Sequence, residues 1–189
     1  YTTTLPVLLG IFGTKEQVAF FTIPNKIVNI IRMTFEPVLQ TFFPHLSKLS
    51  ANGEWGKLTD VRKKLFLVGS SVITLVCGII FFFADEVLSL IFNIYSLGSI
   101  KNLHIQIFIP LILWFHVIFG FFFMILHNFK KVYSKIILYS SIISLPISFA
   151  AIYFYKDLGA SWSLFGVEFV IGLIYLYYYY NNKNRVYAK

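Results

Sequence analysis

Residues Val18–Leu49 read VAFFTIPNKIVNIIRMTFEPVLQTFFPHLSKL. At about 100° per residue, a helix over this stretch places Thr22, Asn25, Asn29, Arg32, Glu36 and Gln40 on one arc, with Lys26 at its edge. The opposite arc carries Ile23, Ile27, Ile31, Phe35, Val38 and Phe42. Polar stripes of this kind are ordinary on the surface of a soluble protein. Here the surrounding chain is apolar enough to lie in a bilayer. A charge at bilayer depth costs about 2.5–3.5 kcal/mol on insertion scales and usually faces a bundle interior or a wet cavity. The stretch therefore reads as the wall of a transport pathway, bent at Pro24 and Pro37, each of which removes a backbone hydrogen bond.

Composition supports the membrane setting. Hydrophobic residues make up 58% of the 189 and charged residues 13%, against about 25% charged in ordinary soluble domains. The fold expected is all-α: a polytopic transmembrane helix bundle of about five complete spans after a truncated first one. The spans are expected at about 1–12 (partial), 18–47, 65–84, 102–129, 136–155 and 160–180, with a polar surface segment from Ser47 to Lys64 and turns at Tyr95–Ser99 and Lys156–Gly159. The twenty uncharged residues of Leu65–Ala84 are enough, at 1.5 Å each, for about 30 Å of hydrocarbon. The chain opens on Tyr1, not Met, and reads as the C-terminal half of a longer transporter.

The net charge of +8 is a topology signal. On alternate loops, Lys48, Lys57, Arg62, Lys63 and Lys64, then Lys130, Lys131 and Lys135, then Lys183, Arg185 and Lys189 share one side; Lys15, Lys101 and Lys156 share the other. By the positive-inside rule the richer side, with the C-terminus, is cytoplasmic. Basic residues that flank spans in this way argue against nucleic acid as a partner. The aromatic run Tyr177–Tyr180 matches an interfacial belt.

Arg32 and Glu36, spaced i, i+4, are open to two readings. They pair on one helix face, or Arg32, with Lys26, presents its planar donor fork to an anionic group such as phosphate. Asn25, Asn29 and Gln40 then suit a hydroxyl-rich cargo. Glu168, on a face with Ser161, Phe165, Gly172 and Tyr175, is either an ion-coupling site, a role also open to Glu36, or a structural interhelical partner. His116 lies mid-span and reads as a satisfied histidine. The four histidines and the single Cys77 have no spacing that suggests a metal set, and no cofactor is expected. A glycine-rich phosphate loop, paired carboxylates on one face and a nucleophile with its base are all missing, so the reading is of a transporter and not an enzyme.

The Val18–Leu49 run, with its aromatic-rich start, Lys26, Pro37 and the closing FPHLSKL, resembles a segment of bacterial O-antigen and polysaccharide flippases. These belong to the multidrug, oligosaccharidyl-lipid and polysaccharide exporter superfamily. The preceding VLLGIFGTKEQVAFF, residues 7–21, is similar to the family's junction into this helix. Lys26, Pro37, Pro44 and Ser47–Leu49 fall on recurrent positions, whereas Pro24 stands where the family carries a small residue.

The resemblance implies flipping of polyprenyl-diphosphate-linked oligosaccharide across the bacterial cytoplasmic membrane, by alternating access, for O-antigen, capsule or exopolysaccharide. The anionic lipid-linked oligosaccharide, membrane lipids, and polysaccharide polymerase and chain-length machinery are the implied partners. Lys26 and Arg32 would hold the diphosphate. A multidrug or cation antiporter of the same superfamily and an integral-membrane polymerase or ligase are the alternatives. The first is disfavoured by cationic lining, the second by short external loops.

Overall fold

The computed structural model describes residues 2–93 and 96–187; Tyr95 of the expected turn and Lys189 of the basic tail lie outside them. Among the described residues every regular element is helical. In chain order these are α1 (Thr4–Phe12), α2 (Lys15–Met33), α3 (Phe35–Ala51), α4 (Trp55–Phe82), α5 (Ala84–Phe92), α6 (Leu97–Gln106), α7 (Ile109–Phe115), a π-helical segment His116–Phe122, α8 (Phe123–Leu126) and α9 (Lys130–Tyr187).

The helix expected over 18–47 is two helices. Thr14 starts the first with a capping box, its hydroxyl accepting from the Gln17 backbone N–H while the Gln17 side chain accepts from the Thr14 N–H. α2 runs through Pro24 and stops at Met33. The break falls at Thr34, whose hydroxyl donates to the Ile31 carbonyl at 2.7 Å. Pro37 explains its place: the ring excludes the carbonyl four residues back, at Met33, and offers no N–H to it. The kink therefore opens one turn upstream of the proline, and the arc drawn on one continuous helix is divided between two.

The polar segment expected on the surface is also more ordered than its composition suggests. α4 begins at Trp55 and carries Arg62 inward to 3% exposure. Asp85 and Glu86 fall in the first turn of α5, where the exposed N–H groups of the helix favour negative charge.

Among the described residues, three stretches are long and apolar enough to cross a membrane: Trp55–Phe82, Leu97–Leu126 and Lys130–Lys183. That is fewer than the five complete spans expected, although one of the three stretches holds two of them. Polar residues and the Thr34 break take 18–47 out of the set, and the expected spans 136–155 and 160–180 lie within one helical stretch. That stretch reverses at Lys156, whose backbone is non-helical at φ 52°, ψ −127°. Its two limbs pack antiparallel, with Gly159 against the Ala151 carbonyl near the reversal and Tyr133 stacked on Tyr175 at 5.7 Å further along.

Gly159 makes the reversal close. A Cβ there would overlap the Ala151 carbonyl, whereas a Cβ on Gly166 meets nothing within 4 Å. We expect Gly159→Ala to destabilise the protein by about 1–3 kcal/mol, the usual range for overpacking. Gly166→Ala should be neutral or slightly stabilising. Thermal unfolding in detergent measures both, and equal effects would contradict the packed reversal.

The bundle gathers the loops at two ends. At one, the Lys156 ammonium donates to the Phe12 carbonyl at 3.0 Å and α6 lies against α2, Gly98 facing the Phe20 ring. At the other, Ser50 donates to the Leu126 carbonyl at 2.9 Å, Trp55 stacks on His127, and Arg62 donates to the Tyr179 hydroxyl at 3.2 Å while lying over the Phe123 and Tyr179 rings. Leu46, Leu58, Leu88, Leu103, Ile107 and Phe122 form the centre of the core. The outward faces of α4 (Leu67, Val72, Leu75, Ile79) and α9 (Ile142, Ile143, Phe154, Trp162) are exposed and apolar. An apolar surface of this extent suits a lipid or protein neighbour better than water.

Candidate functional site

Among the polar residues of α2, Asn25, Asn29 and Arg32 share one face because they recur at helical spacing. Asn25 lies ten residues into the helix, about 15 Å along its axis. These three side chains line a cleft of about 380 Å³ with Thr2, Thr3, Met33, Leu164 and Glu168. Arg32 is exposed, and no ion pair joins it to Glu36. The cleft thus brings together Asn25, Asn29, Arg32 and Glu168 from the sequence-derived set. Lys26, Glu36 and Gln40 are exposed and do not line it. The Thr34 break accounts for the separation of Glu36 and Gln40, which belong to α3.

From the cleft a chain of hydrogen bonds leads through the interior. Asn29 donates to the Asn25 carbonyl oxygen at 2.9 Å, and Asn25 donates to Gln106 Oε1 at 3.3 Å. Gln106 Nε2 donates to Ser161 Oγ at 2.8 Å and to the Phe21 carbonyl at 3.2 Å. Ser161 donates to Asn102 Oδ1 at 2.5 Å, and Asn102 Nδ2 donates to Asp157 Oδ2 at 2.7 Å and to the Gly98 carbonyl at 2.9 Å. Asn102, Gln106 and Ser161 are fully buried. Burying an amide without partners costs about 1–3 kcal/mol in proteins, so the completeness of this chain is what makes its position tolerable. It ties α2, α6 and the second limb of α9 together between the cleft and the end that carries Lys156. Sequence reasoning missed it, although Asn102 and Gln106 sit at i, i+4 inside an otherwise apolar run.

Glu168 has a second neighbour that sequence reasoning set aside. His116 Nδ1 lies 3.4 Å from Glu168 Oε2, and His116 Nε2 lies 3.0 Å from the Glu168 backbone carbonyl. Gly172, one turn further along α9, leaves room for the imidazole; its Cβ position is 3.3 Å from Nε2. The ring edge also meets Tyr175, 5.3 Å between centroids. His116 opens the π-helical segment, a backbone form that recurs at functional sites. The face read for Glu168 from the sequence is accordingly an internal one: Ser161 joins the amide chain, while Gly172 and Tyr175 enclose the histidine.

A second cleft, about 470 Å³, lies between α3 and α4 and is lined by His45, Lys48, Asn52, Glu54, Lys57 and Asp60, among others. Lys57 pairs with Glu54 at 2.5 Å, and this hydrogen bond holds the Glu54 carboxyl below its usual range. The pair is exposed, and such pairs contribute little to stability. Mixed charge at the basic end marks it as a water-facing surface.

The fold and its apolar helices define an integral membrane protein built as a helical bundle with a polar cleft lined by Asn25, Asn29, Arg32 and Glu168. The chain is 25% identical over 188 residues to an Escherichia coli (strain K12) protein named "Putative O-antigen transporter". The match takes in 97% of this chain and 44% of that protein, so the chain spans less than half the length of the relative. No known family profile matches, and no solved structure matches.

Proposed function

We propose that the protein of which this chain is part flips polyprenyl-diphosphate-linked oligosaccharide across the cytoplasmic membrane for surface polysaccharide synthesis. The observation that carries this reading is the cleft itself: an arginine and two asparagines gathered in an apolar helical bundle. A guanidinium donates two parallel hydrogen bonds to a phosphate, and the adjacent amides offer donors and acceptors to sugar hydroxyls. The name of the similar E. coli protein points the same way.

In this mechanism the diphosphate–sugar head occupies the cleft while the polyprenyl tail remains in lipid. Rocking of two helical halves then exposes the head on the other side. Arg32 anchors the diphosphate, with Asn25 and Asn29 beside it. Lys26, Glu36 and Gln40, exposed on α2 and α3, contact the head along its path, and Glu168 couples the cycle to an ion gradient. Polymerase and chain-length machinery receive the product outside. A lipophilic-cation antiporter would need a predominantly acidic cleft, and the arginine weighs against it.

The test is reconstitution of the full-length protein in liposomes that carry a polyprenyl-diphosphate oligosaccharide, with lectin or glycosidase access to the sugar as the readout. Flipping should move the inner-leaflet fraction into reach at a rate above that of protein-free vesicles. No increase with the matching glycan would sink the reading.

Sidedness has its own expected result. Single cysteines at Lys57 and at Lys101, introduced into full-length protein with Cys77 replaced by alanine, should be labelled from opposite faces. Lys57→Cys should react only after the cytoplasmic side is opened. Labelling of both from the outside would contradict a cytoplasmic basic end.

A further inference from the structure

We infer that Asn29 reads a hydroxyl in the cleft: its side-chain carbonyl oxygen accepts from an O–H or N–H group on the sugar next to the anion held at Arg32, an inference that rests on the transport reading and divides the head between two residues. The direction of the hydrogen-bond chain behind the cleft requires it. That direction follows from the partners alone, without presuming which end of any amide is nitrogen.

Two main-chain carbonyls, which accept only, fix it. One end of the Asn102 amide meets both the Gly98 carbonyl at 2.9 Å and Asp157 Oδ2 at 2.7 Å, so that end is the nitrogen. The other end is then an oxygen, and the Ser161 hydroxyl gives it its single hydrogen at 2.5 Å. Ser161 has none left for Gln106, and the Phe21 carbonyl has none to give. The Gln106 atom that meets both, at 2.8 and 3.2 Å, is therefore Nε2. Gln106 turns its oxygen to the Asn25 nitrogen at 3.3 Å, and Asn25 turns its own oxygen to the Asn29 nitrogen at 2.9 Å. Reversed, the chain would set oxygen against oxygen at the Gly98 and Phe21 carbonyls, where Asn102 and Gln106 are fully buried and an unpaired polar group is costly.

Asn25 thus has both ends engaged, and Asn29 holds its carbonyl oxygen for a ligand, together with one remaining N–H. Among the described residues that oxygen accepts no hydrogen bond. A carbonyl oxygen repels a phosphate oxygen and attracts a hydroxyl. Asn29 and Arg32 both line the cleft, and residues three apart on a helix stand about 5–6 Å apart at Cβ. One head group can therefore touch both, its anion on the guanidinium fork and a donor of the adjoining sugar on Asn29. A bare polyprenyl diphosphate offers the anion and no sugar hydroxyl, so the pair distinguishes the loaded lipid from the empty one.

Binding of defined lipids tests this. Full-length protein in lipid nanodiscs is titrated with a polyprenyl diphosphate, with the same lipid carrying glucose, and with the four monodeoxy forms of that glucosyl lipid. Loss of one hydroxyl should weaken binding about three- to tenfold, the worth of one neutral hydrogen bond. Asn29→Leu should abolish that difference while binding the sugar-free diphosphate as tightly as the native protein does, and Arg32→Ala should weaken all the lipids alike. Native protein that binds every monodeoxy lipid as tightly as the parent would overturn the proposal, as would a difference that persists in Asn29→Leu. Should that variant fail to fold, native protein carrying ¹³C,¹⁵N-asparagine decides the direction by solid-state NMR. Asn29 Nδ2 should correlate with Asn25 Cγ, and the reverse correlation would overturn the proposal. Equal binding of all the sugar lipids with glycan flipping intact would remove this site and leave the transport reading in place. A difference that Asn29→Leu abolishes, with no flipping of the matching glycan, would do the reverse.

Discussion

Alanine at Arg32 is expected to cut surface polysaccharide at least tenfold when the full-length variant replaces the native protein at matched membrane abundance. The guanidinium is the one cation lining the cleft among the described residues. It is exposed to the cleft and is not joined to Glu36. Its loss should therefore cost the cargo contact and little stability. Hydrogen bonds to charged groups are worth about 1.5–3 kcal/mol, a factor of about 10–150 in affinity. Arg32→Lys keeps the charge but loses the planar fork, so an intermediate level is expected. Full export by the alanine variant would return Arg32 to a structural role and shift the binding function to other residues. Immunoblotting of membranes separates this outcome from loss of the protein.

Gln106→Ala has the second largest expected effect, and it is an effect on folding. The side chain joins Asn25, the Phe21 carbonyl and Ser161 in one place. Its removal leaves donors and acceptors on two elements, α2 and α9, without that partner and opens a cavity. A loss of about 2–4 kcal/mol is expected from these causes together. Ser71→Ala makes the comparison: Ser71 is exposed and bonds only to the Leu67 carbonyl of its own helix, so its loss should fall within about 0.5 kcal/mol. Denaturation of the purified full-length protein in detergent, followed by tryptophan fluorescence, measures both. Similar small losses would mean that the amide chain does not hold α2, α6 and α9 together.

The sequence was most informative where a single physical quantity decides the outcome. Leu65–Ala84 has to be a buried or lipid-facing helix because nothing in it can satisfy its backbone except itself. The reversal near Lys156–Gly159 was legible from the charged pair Lys156 and Asp157 between two apolar runs. What could not be read were consequences of pairing between elements. Pro37 announces a bend, but whether the helix divides there depends on neighbours that hold the two parts apart. Arg62 stands in a basic cluster with Lys63 and Lys64 and reads as a topology determinant, yet it is buried against Phe123 and Tyr179, residues 61 and 117 positions away.

The candidate site divides in the same way. Asn25, Asn29 and Arg32 were legible because helical spacing alone puts them on one face. Glu168 was legible as a charge inside an apolar run. His116 was not, since an isolated histidine in a span has no periodicity to mark it; only the packing of the π-helical segment on α9 brings it to Glu168. Gln106 and Asn102 carried a weak signal, an i, i+4 amide pair in an uncharged stretch, whose weight becomes apparent once Ser161 and Asp157 are placed beside it.

The central claim, export of lipid-linked glycan, is tested most directly in a strain that lacks its polysaccharide flippase and makes the matching glycan. The native full-length protein is expressed there and surface polysaccharide is measured. Restoration of the surface glycan is the predicted result. Its absence, with the protein present in the membrane and the lipid-linked precursor accumulating, would contradict the account.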